Sequence, residues 1–272
     1  MAGLFLPTAA INYGQPVNWA SPLTRGLVSW WLTLPNTKGG VKWYDLCGRA
    51  HGTLTNMDPA SDWVPTTRPG GFGALDFVTN DYVDFSAGAP PSFPSGSPFT
   101  ISAWALFRAA TGRILGVPDV SANNFSKITD TAITVRCGAT LTTFTVPSIG
   151  TTNWHHVCAS RTAADSVRVW LDGAESSTGA LTNAGTFAPT FIGRTSTAYH
   201  NGQLDDITIR SIAFDDSEVW QQYQDSQLGH PQMLQRLRRP IPFAPAAAGT
   251  DTGVLIGGRL TRSMLINGRL VA

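Results

Sequence analysis

Length, composition and charge indicate a globular protein with a core of its own. Of its 272 residues, 42% are hydrophobic and 14% are charged, which is enough apolar material to fold and too little charge for a disordered chain. The formal net charge of +1 predicts no overall attraction to nucleic acid or to a membrane surface. The 27 glycines and 18 prolines favour many turns and exclude a protein of long helices.

The predicted elements are short strands separated by turn residues. Residues 1–20 have no hydrophobic period and are expected to form an N-terminal arm. From residue 21 onward, apolar residues alternate with polar ones or form short runs, which is typical of strands. The predicted strands are GLVSWWL (26–32), GALDFV (73–78), YVDF (82–85), FTISAWALF (99–107), AITVRC (132–137), HHVCAS (155–160), VRVWLDG (167–173) and QLDDITIR (203–210).

One helix is predicted, over DDSEVWQQYQDS (215–226). An aspartate can cap its first turn, and Val219, Trp220 and Tyr223 form an apolar stripe. Many strands with one short helix indicate an all-β fold, a two-sheet antiparallel β-sandwich of jelly-roll kind over residues 21–229, with extended N- and C-terminal arms.

The C-terminal region has a different composition. From residue 230 onward, six arginines against one aspartate give a net charge of +5, which leaves −4 for residues 1–229. Residues 230–252 mix proline, arginine and alanine and are expected to form a linker. Extended at about 3 Å per residue, such a linker reaches on the order of 60 Å. Six spread arginines without interleaved aromatic residues do not predict a nucleic-acid site.

Residues 253–272 contain one motif twice, LIGGRL (255–260) and LINGRL (265–270). We expect each copy to be one apolar strand, with TRSM as the turn between them. The two strands either cover an edge of their own sandwich or pair with a neighbouring subunit or partner, and the long linker favours the second alternative. The expected assembly residues are Leu255, Ile256, Arg259, Leu260, Leu265, Ile266, Arg269 and Leu270.

Motifs of the common enzyme classes do not occur in the sequence. There is no G-x-S-x-G and no G-x-x-x-x-G-K-[ST]. The two glutamates, Glu175 and Glu218, lie far apart in sequence, and hydrolysis of a glycosidic bond needs two carboxylates about 5–10 Å apart. Asp205 and Asp206 are neighbours in a predicted strand and should point to opposite faces. We therefore expect a protein that is not an enzyme and has no catalytic residues.

Four stretches resemble the laminin-G-like, concanavalin A-like sandwich family: SPLTRGLVSWW (21–31), WYDLCGRAHGTLTN (43–56), WHHVCASRTAADSVRVWLDG (154–173) and GQLDDITIRSIAFDDSEV (202–219). The resemblance implies the same jelly-roll sandwich over about residues 21–226. It leaves function open, because this scaffold serves lectins, glycosidases, adhesins and structural modules. Glycosidases of this scaffold have an E-x-D-x-x-E strand, which this sequence lacks.

Candidate binding residues follow from the resemblance, for calcium, and from the many aromatic residues, for a glycan. Family members often hold a calcium ion with an aspartate of the "G-x-I-D-D" strand, a position that Asp205 and Asp206 match; the alternative is that these aspartates cap turns and face solvent. Trp43, Trp63 and Tyr199 could form a glycan-binding platform, since aromatic faces stack on sugar rings; the alternative is core packing.

The flanking segments resemble a subgroup of structural proteins from tailed phages and prophages, through NWASPLTRGLV (18–28) and RRPIPF (238–243). This implies a virion component, either a capsid decoration or head fibre or a tail appendage. Its partners would be other virion proteins, copies of itself and host surface glycans. The N-terminus has no basic segment before an apolar run, so we expect no signal peptide and assembly in the host cytoplasm. The alternative function is a carbohydrate-binding module or adhesin that uses calcium.

Overall fold

Two units make up the chain in the computed structural model, Met1–Arg236 and Leu237–Ala272. The first unit is described over residues 17–34, 40–119, 123–176 and 179–235, and the second by the backbone of four strands between residues 254 and 271. In this described part, strands are accompanied by one α-helix and two short 3₁₀ turns. No helix there is long and apolar enough to cross a membrane.

The strands of the first unit begin and end close to the apolar runs of the sequence. In chain order they are β1 (Leu27–Trp31), β2 (Lys42–Trp43), β3 (Gly52–Thr55), β4 (Trp63–Val64), β5 (Ala74–Phe77), β6 (Tyr82–Asp84), β7 (Phe99–Phe107), β8 (Gly112–Gly116), β9 (Asn124–Thr129), β10 (Ala132–Cys137), β11 (Thr140–Thr145), β12 (Trp154–Arg161), β13 (Ser166–Leu171), β14 (Ala174–Glu175), β15 (Leu181–Thr182), β16 (Phe191–Ile192), β17 (Arg194–Thr195), β18 (Ala198–Tyr199) and β19 (Gly202–Arg210). All eight predicted strands are present, as β1, β5, β6, β7, β10, β12, β13 and β19.

Most of these strands form two antiparallel sheets. The first sheet has the order β14-β13-β12-β7-β19-β5-β4, with β1 also pairing with β19 and β15 with β13. The second has the order β11-β10-β9-β8-β16-β6-β3-β2. The residues that alternate toward the space between the sheets form one large apolar cluster. The prediction of an all-β, two-sheet antiparallel sandwich is confirmed.

The core between the sheets is built from strand residues of alternate positions. Ile133, Val135 and Cys137 of β10 are fully buried there, and the Phe99 ring of β7 stacks on Phe187 with centroids 4.9 Å apart. Each fully buried side chain of this size contributes about 1.5–3 kcal/mol. The cluster as a whole is therefore sufficient to hold the two sheets together.

The helix α1 (Asp216–Gln227) covers the outer face of the first sheet. It begins with a capping box, in which Asp215 and Glu218 each accept a backbone N–H from the other. Val219 packs with Cys158 and Trp170 of the sheet in a separate apolar cluster. This cover explains why β7 and β12 are buried over nearly their whole length, on both faces of the sheet.

The two ends of the first unit are paired with each other, which changes two predicted boundaries. Val17 is fully buried and forms a β-bridge with Leu234, and the Asn18 N–H donates to the Met233 carbonyl. The Met233 side chain is fully buried. Residues 17–20, predicted as part of an arm, and residues 230–235, predicted as the start of a linker, therefore pack on the sandwich.

The second unit corrects the prediction for the repeated motif. Each copy forms a hairpin of its own rather than one strand. β20 (Val254–Ile256) pairs with β21 (Arg259–Thr261), and β22 (Met264–Ile266) pairs with β23 (Arg269–Val271). Leu255 is opposite Leu260, and Leu265 is opposite Leu270. The predicted turn over TRSM therefore joins two hairpins instead of two strands; its middle residues, 262–263, lie outside the described residues.

Candidate functional site

Asp205 and Asp206 lie in a buried ion cluster. The pairing of β19 with β7 shifts register between Asp205 and Thr208, and Asp206 has a φ of +54°. This bulge turns both carboxylates toward Arg68, whose Nη2 lies 2.7 Å from Asp205 and whose Nη1 lies 3.8 Å from Asp206. The prediction that the neighbouring carboxylates point to opposite faces is wrong, because alternation holds only in a regular strand.

His230 and Trp30 complete this cluster. The Trp30 indole Nε1 donates to Asp206 at 2.7 Å, and His230 Nε2 lies 2.8 Å from the other Asp206 oxygen. His230 Nδ1 lies 3.3 Å from Asp225. Burial by itself would raise the pKa of Asp206, but the neighbouring His230 and Arg68 hold it well below its usual range. Burial would likewise lower the pKa of His230, but the charge and hydrogen bond of Asp206, together with Asp225, raise it.

The ion cluster does not fit a calcium ion at Asp205 or Asp206. Calcium takes six to eight oxygen ligands, whereas the oxygens of these carboxylates already accept from Arg68, Trp30, His230 and the Thr33 N–H. In the described residues, no group of three His, Cys, Asp or Glu side chains could hold a metal ion. The predicted alternative, solvent-facing turn caps, does not fit either, since both side chains are buried.

The predicted glycan platform of Trp43, Trp63 and Tyr199 does not form. Trp43 and Trp63 are only 1% and 6% exposed, and their rings meet edge to face at 5.9 Å inside the core. Trp63 Nε1 donates to the Gly40 carbonyl. Tyr199 packs elsewhere, with its ring 6.3 Å from that of Tyr82. Core packing, the alternative reading of the two tryptophans, is the observed one.

A different group of aromatic and polar side chains reaches the surface beside α1. It consists of Trp220, Tyr223, Asp172 and His155, and we call it the aromatic surface. Trp220 is 49% exposed, and its ring lies 5.6 Å from that of Tyr223. Gly173 has a φ of +80°, and a Cβ there would come within 2.6 Å of the Trp220 ring. The tight turn at 172–173 therefore packs directly against one side of the Trp220 indole.

The polar part of the aromatic surface is held in place by hydrogen bonds. His155 Nδ1 lies 2.7 Å from one Asp172 oxygen, and the His156 N–H donates to the other at 2.9 Å. Gln227 Nε2 donates to the Tyr223 hydroxyl at 2.6 Å. Burial and the nearby Asp172 charge raise the pKa of Tyr223. A carboxylate with spare acceptor capacity and a hydroxyl with its own proton to donate therefore flank a half-exposed indole.

The carboxylates of the two glutamates are already engaged. Glu175 pairs with Arg168, and Glu218 pairs with Arg25 and caps α1. Both carboxylates are therefore paired with an arginine.

A laminin-G family model, described as the concanavalin A-like lectin/glucanases superfamily, matches residues 77–220, which is more than half of the chain. The chain belongs to this superfamily. The matched segment runs from β5 into α1 and includes three of the four residues of the aromatic surface, all but Tyr223. No curated protein matches the sequence.

Solved structures show the same fold as this superfamily member. A Trypanosoma rangeli sialidase in complex with 2,3-difluorosialic acid has 14% identity and a TM-score of 0.51, covering 80% of this chain and 37% of its own. The binding domain of Paraclostridial Mosquitocidal Protein 1 has 14% identity and a TM-score of 0.51, covering 74% and 52%. The botulinum neurotoxin serotype D ligand binding domain, in complex with N-acetylneuraminic acid, has 9% identity and a TM-score of 0.52, covering 73% and 50%.

At these identities the likeness shows the fold alone. The chain also spans only part of these structures, about half of the two toxin domains and 37% of the sialidase. Sequence reasoning missed its aromatic surface because Trp220 and Tyr223 were assigned to the buried stripe of the helix. The buried positions are instead Val219, Gln222, Asp225 and Ser226. The Asp172-Gly173 turn was the available signal, since a tight turn brings its flanking side chains to the surface.

Proposed function

We propose that the sandwich is a non-enzymatic carbohydrate-binding module and that the aromatic surface contacts the sugar. The observation that supports this is the half-exposed Trp220 indole beside the Asp172 carboxylate and the Tyr223 hydroxyl. The apolar face of a sugar ring stacks on such an indole, and its hydroxyl groups need acceptors and donors at the rim. The aromatic surface offers the exposed indole together with an acceptor, Asp172, and a donor, the Tyr223 hydroxyl.

The structural neighbours support a sugar as the ligand, but they do not support the particular residues of the aromatic surface. One of them, the botulinum neurotoxin serotype D domain, is described with a bound sugar, N-acetylneuraminic acid. Others are sialidases, which are enzymes. We favour binding over hydrolysis because both glutamates of this chain are engaged with arginines.

We further propose that the module belongs to a tailed-phage virion, as a capsid decoration or head fibre or as a tail appendage. The support is the resemblance of its flanking segments to phage structural proteins and the pair of hairpins in residues 254–271. In this proposal the hairpins pair with copies of the chain or with other virion proteins, and the sandwich faces host surface glycans. Nucleic acid and membrane are not among its partners. In the same proposal, assembly takes place in the host cytoplasm.

A glycan array probed with the full chain tests the binding proposal. We expect selective binding to a set of related glycans, unchanged when EDTA is added, because the aromatic surface contains no metal ligand set. Absence of binding across the array would contradict the proposal. Loss of binding in EDTA would instead support the calcium-dependent alternative.

A further inference from the structure

The outer face of the second sheet has a recess that lies apart from the aromatic surface. Its volume is about 170 Å³, and it is lined by side chains of β8 to β11 and by Thr195. These strands turn their apolar residues inward, such as Phe125, Val135 and Phe144. The alternate residues point outward, and they include Arg113, Asn124, Thr134, Arg136 and Leu141.

The recess is rich in hydrogen-bond donors and contains no acidic residue. Two arginines line it. The Asn124 side-chain oxygen accepts from Thr134 at 3.5 Å, so the group that Asn124 can offer to a ligand is its amide NH₂, a donor. An arginine has five N–H donors and no acceptor, so the Arg113 guanidinium adds only donors. A ligand that fits here must bring acceptors and negative charge.

Arg113 is the residue of the recess that points most strongly to a ligand. It is half-buried, and within the described residues its guanidinium has no hydrogen bond and no ion pair. Other arginines of the sandwich are paired with acids: Arg68 with Asp205, Arg108 with Asp76, and Arg168 with Glu175. Burial lowers the pKa of Arg113, and no nearby acid opposes that effect. The positive charge is therefore desolvated without compensation.

We propose that this recess binds the carboxylate of an acidic sugar, with Arg113 as its principal contact. The planar guanidinium fork matches a carboxylate in two parallel hydrogen bonds. The amide and hydroxyl side chains of Asn124, Thr134 and Thr195 suit the hydroxyl groups of the same sugar, and the exposed Leu141 suits its apolar side. The recess is smaller than the roughly 300–1,000 Å³ typical of drug-sized ligands. It therefore takes a single ring.

The proposal is independent of the aromatic surface, which lies on the opposite sheet. Either site can fail in an experiment without the other. If both the recess and the aromatic surface bind sugars, each sandwich can hold two glycans, one on each sheet.

Calorimetry with the full chain tests the recess. The probes are N-acetylneuraminic acid, its methyl ester, glucuronate, glucose and a short glutamate peptide. We expect binding of at least one acidic sugar, no measurable binding of its uncharged counterpart, and weaker binding of the peptide. Arg113→Gln should weaken the acidic sugar on the order of tenfold or more. Arg113→Lys should restore part of the affinity, since it keeps the charge without the fork.

Two control variants make the result specific. Arg25→Gln removes the same charge from a side chain that is 63% exposed on the other side of the sandwich, and it should leave acidic-sugar binding unchanged. Trp220→Ala should also leave it unchanged. Arg113→Gln should unfold at or above the wild-type temperature, since it removes a desolvated charge and the guanidinium has no protein partner to lose. Equal binding by Arg113→Gln and wild type, equal binding of acid and ester, tighter binding of the peptide, or no binding of either acidic sugar would each overturn the proposal.

Discussion

His230 Nε2 lies 2.8 Å from the Asp206 carboxylate, and both side chains are fully buried or nearly so. Asp206 stands in the bulge of β19, whereas His230 follows the helix α1 in the segment that pairs with residues 17–18. The Trp30 ring meets the His230 ring edge-on at 4.9 Å. This ion pair therefore joins the first sheet to the segment that leads out of the sandwich.

Breaking the pair from one side should destabilise the first unit strongly. His230→Gln or Asp206→Asn leaves a buried charge without its partner, which costs about 3–5 kcal/mol. Urea unfolding measures the free energy, and a double-mutant cycle gives the coupling between the two residues. The exposed pair of Arg25 and Glu218 is the control, since Arg25→Gln should cost less than about 1 kcal/mol. A loss below 1 kcal/mol in His230→Gln would contradict the role of the pair.

Two other histidines should make stability fall in mild acid. Burial lowers the pKa of His156 to about 4 and that of His200 to about 3. The unfolded chain takes up protons near pH 6.5 and the folded chain does not, so the free energy of unfolding decreases as the pH falls from 6.5 toward these values. The expected loss is of order 3 kcal/mol for each histidine.

Among the other titrating groups, His51 acts in the same direction because burial lowers its pKa, whereas His230 and Asp206 do not. Because the pKa of His230 is raised in the folded state, His230 contributes stability that is complete below pH 6.5 and is lost as the pH rises through the raised pKa. Because the pKa of Asp206 is lowered in the folded state, Asp206 contributes stability that is lost only below pH 3.8. Unfolding measured between pH 7 and 4 should therefore show a flatter slope in His156→Gln and in His200→Gln. An unchanged slope in both variants would show that neither histidine is buried in its neutral form.

Much of the fold was predictable because it depends on local patterns. β7 and β10 are long enough for their apolar residues to show, and the Asp215 and Glu218 capping box marks the start of α1. The bulge at Asp206 was not predictable, since it depends on Arg68 and His230, which come from distant parts of the chain. The two hairpins have a local signal in the sequence, because the dipeptides Gly-Gly (257–258) and Asn-Gly (267–268) are typical of sequences that form two-residue hairpin turns.

Arg161 should not tolerate exchange for lysine. Its fully buried guanidinium donates to the carbonyls of Phe93, Pro94, Ser97, Asn183 and Gly185 and lies 4.6 Å from the centre of the Phe99 ring. A lysine has three donors on one nitrogen and would leave several carbonyls unpaired. Arg161→Lys should lower the free energy of unfolding by about 2 kcal/mol or more. Arg108→Lys, at a partly exposed ion pair, is the matched control and should change it little.

Removal of residues 237–272 should change assembly and leave the sandwich folded. These residues form the second unit, and the pairing of residues 17–18 with 233–234 is outside the deletion. We expect the full chain to form oligomers or to bind a virion partner, and the truncated chain to be monomeric with an unchanged unfolding temperature. Light scattering and thermal unfolding measure the two quantities. An oligomer of the same size after truncation would contradict the anchoring role of the hairpins.

The candidate glycan site was less predictable than the fold. Counting aromatic residues selected Trp43 and Trp63, which pack in the core, because sequence does not show which face of a short strand is covered. Trp220 seemed part of a buried stripe, but Gln222 faces the sheet instead, donating to Ser102 at 2.6 Å. The rotation of α1 is thus set by polar contacts that no hydrophobic pattern records.

The most direct test of carbohydrate binding is the affinity of Trp220→Ala for the best glycan of the array, measured beside Trp19→Ala. Trp19 is 53% exposed and lies outside the aromatic surface, so it controls for loss of an exposed indole. We predict that Trp220→Ala lowers the affinity on the order of tenfold or more and that Trp19→Ala leaves it unchanged. Wild-type affinity in Trp220→Ala, with both variants folded, would contradict the proposed site.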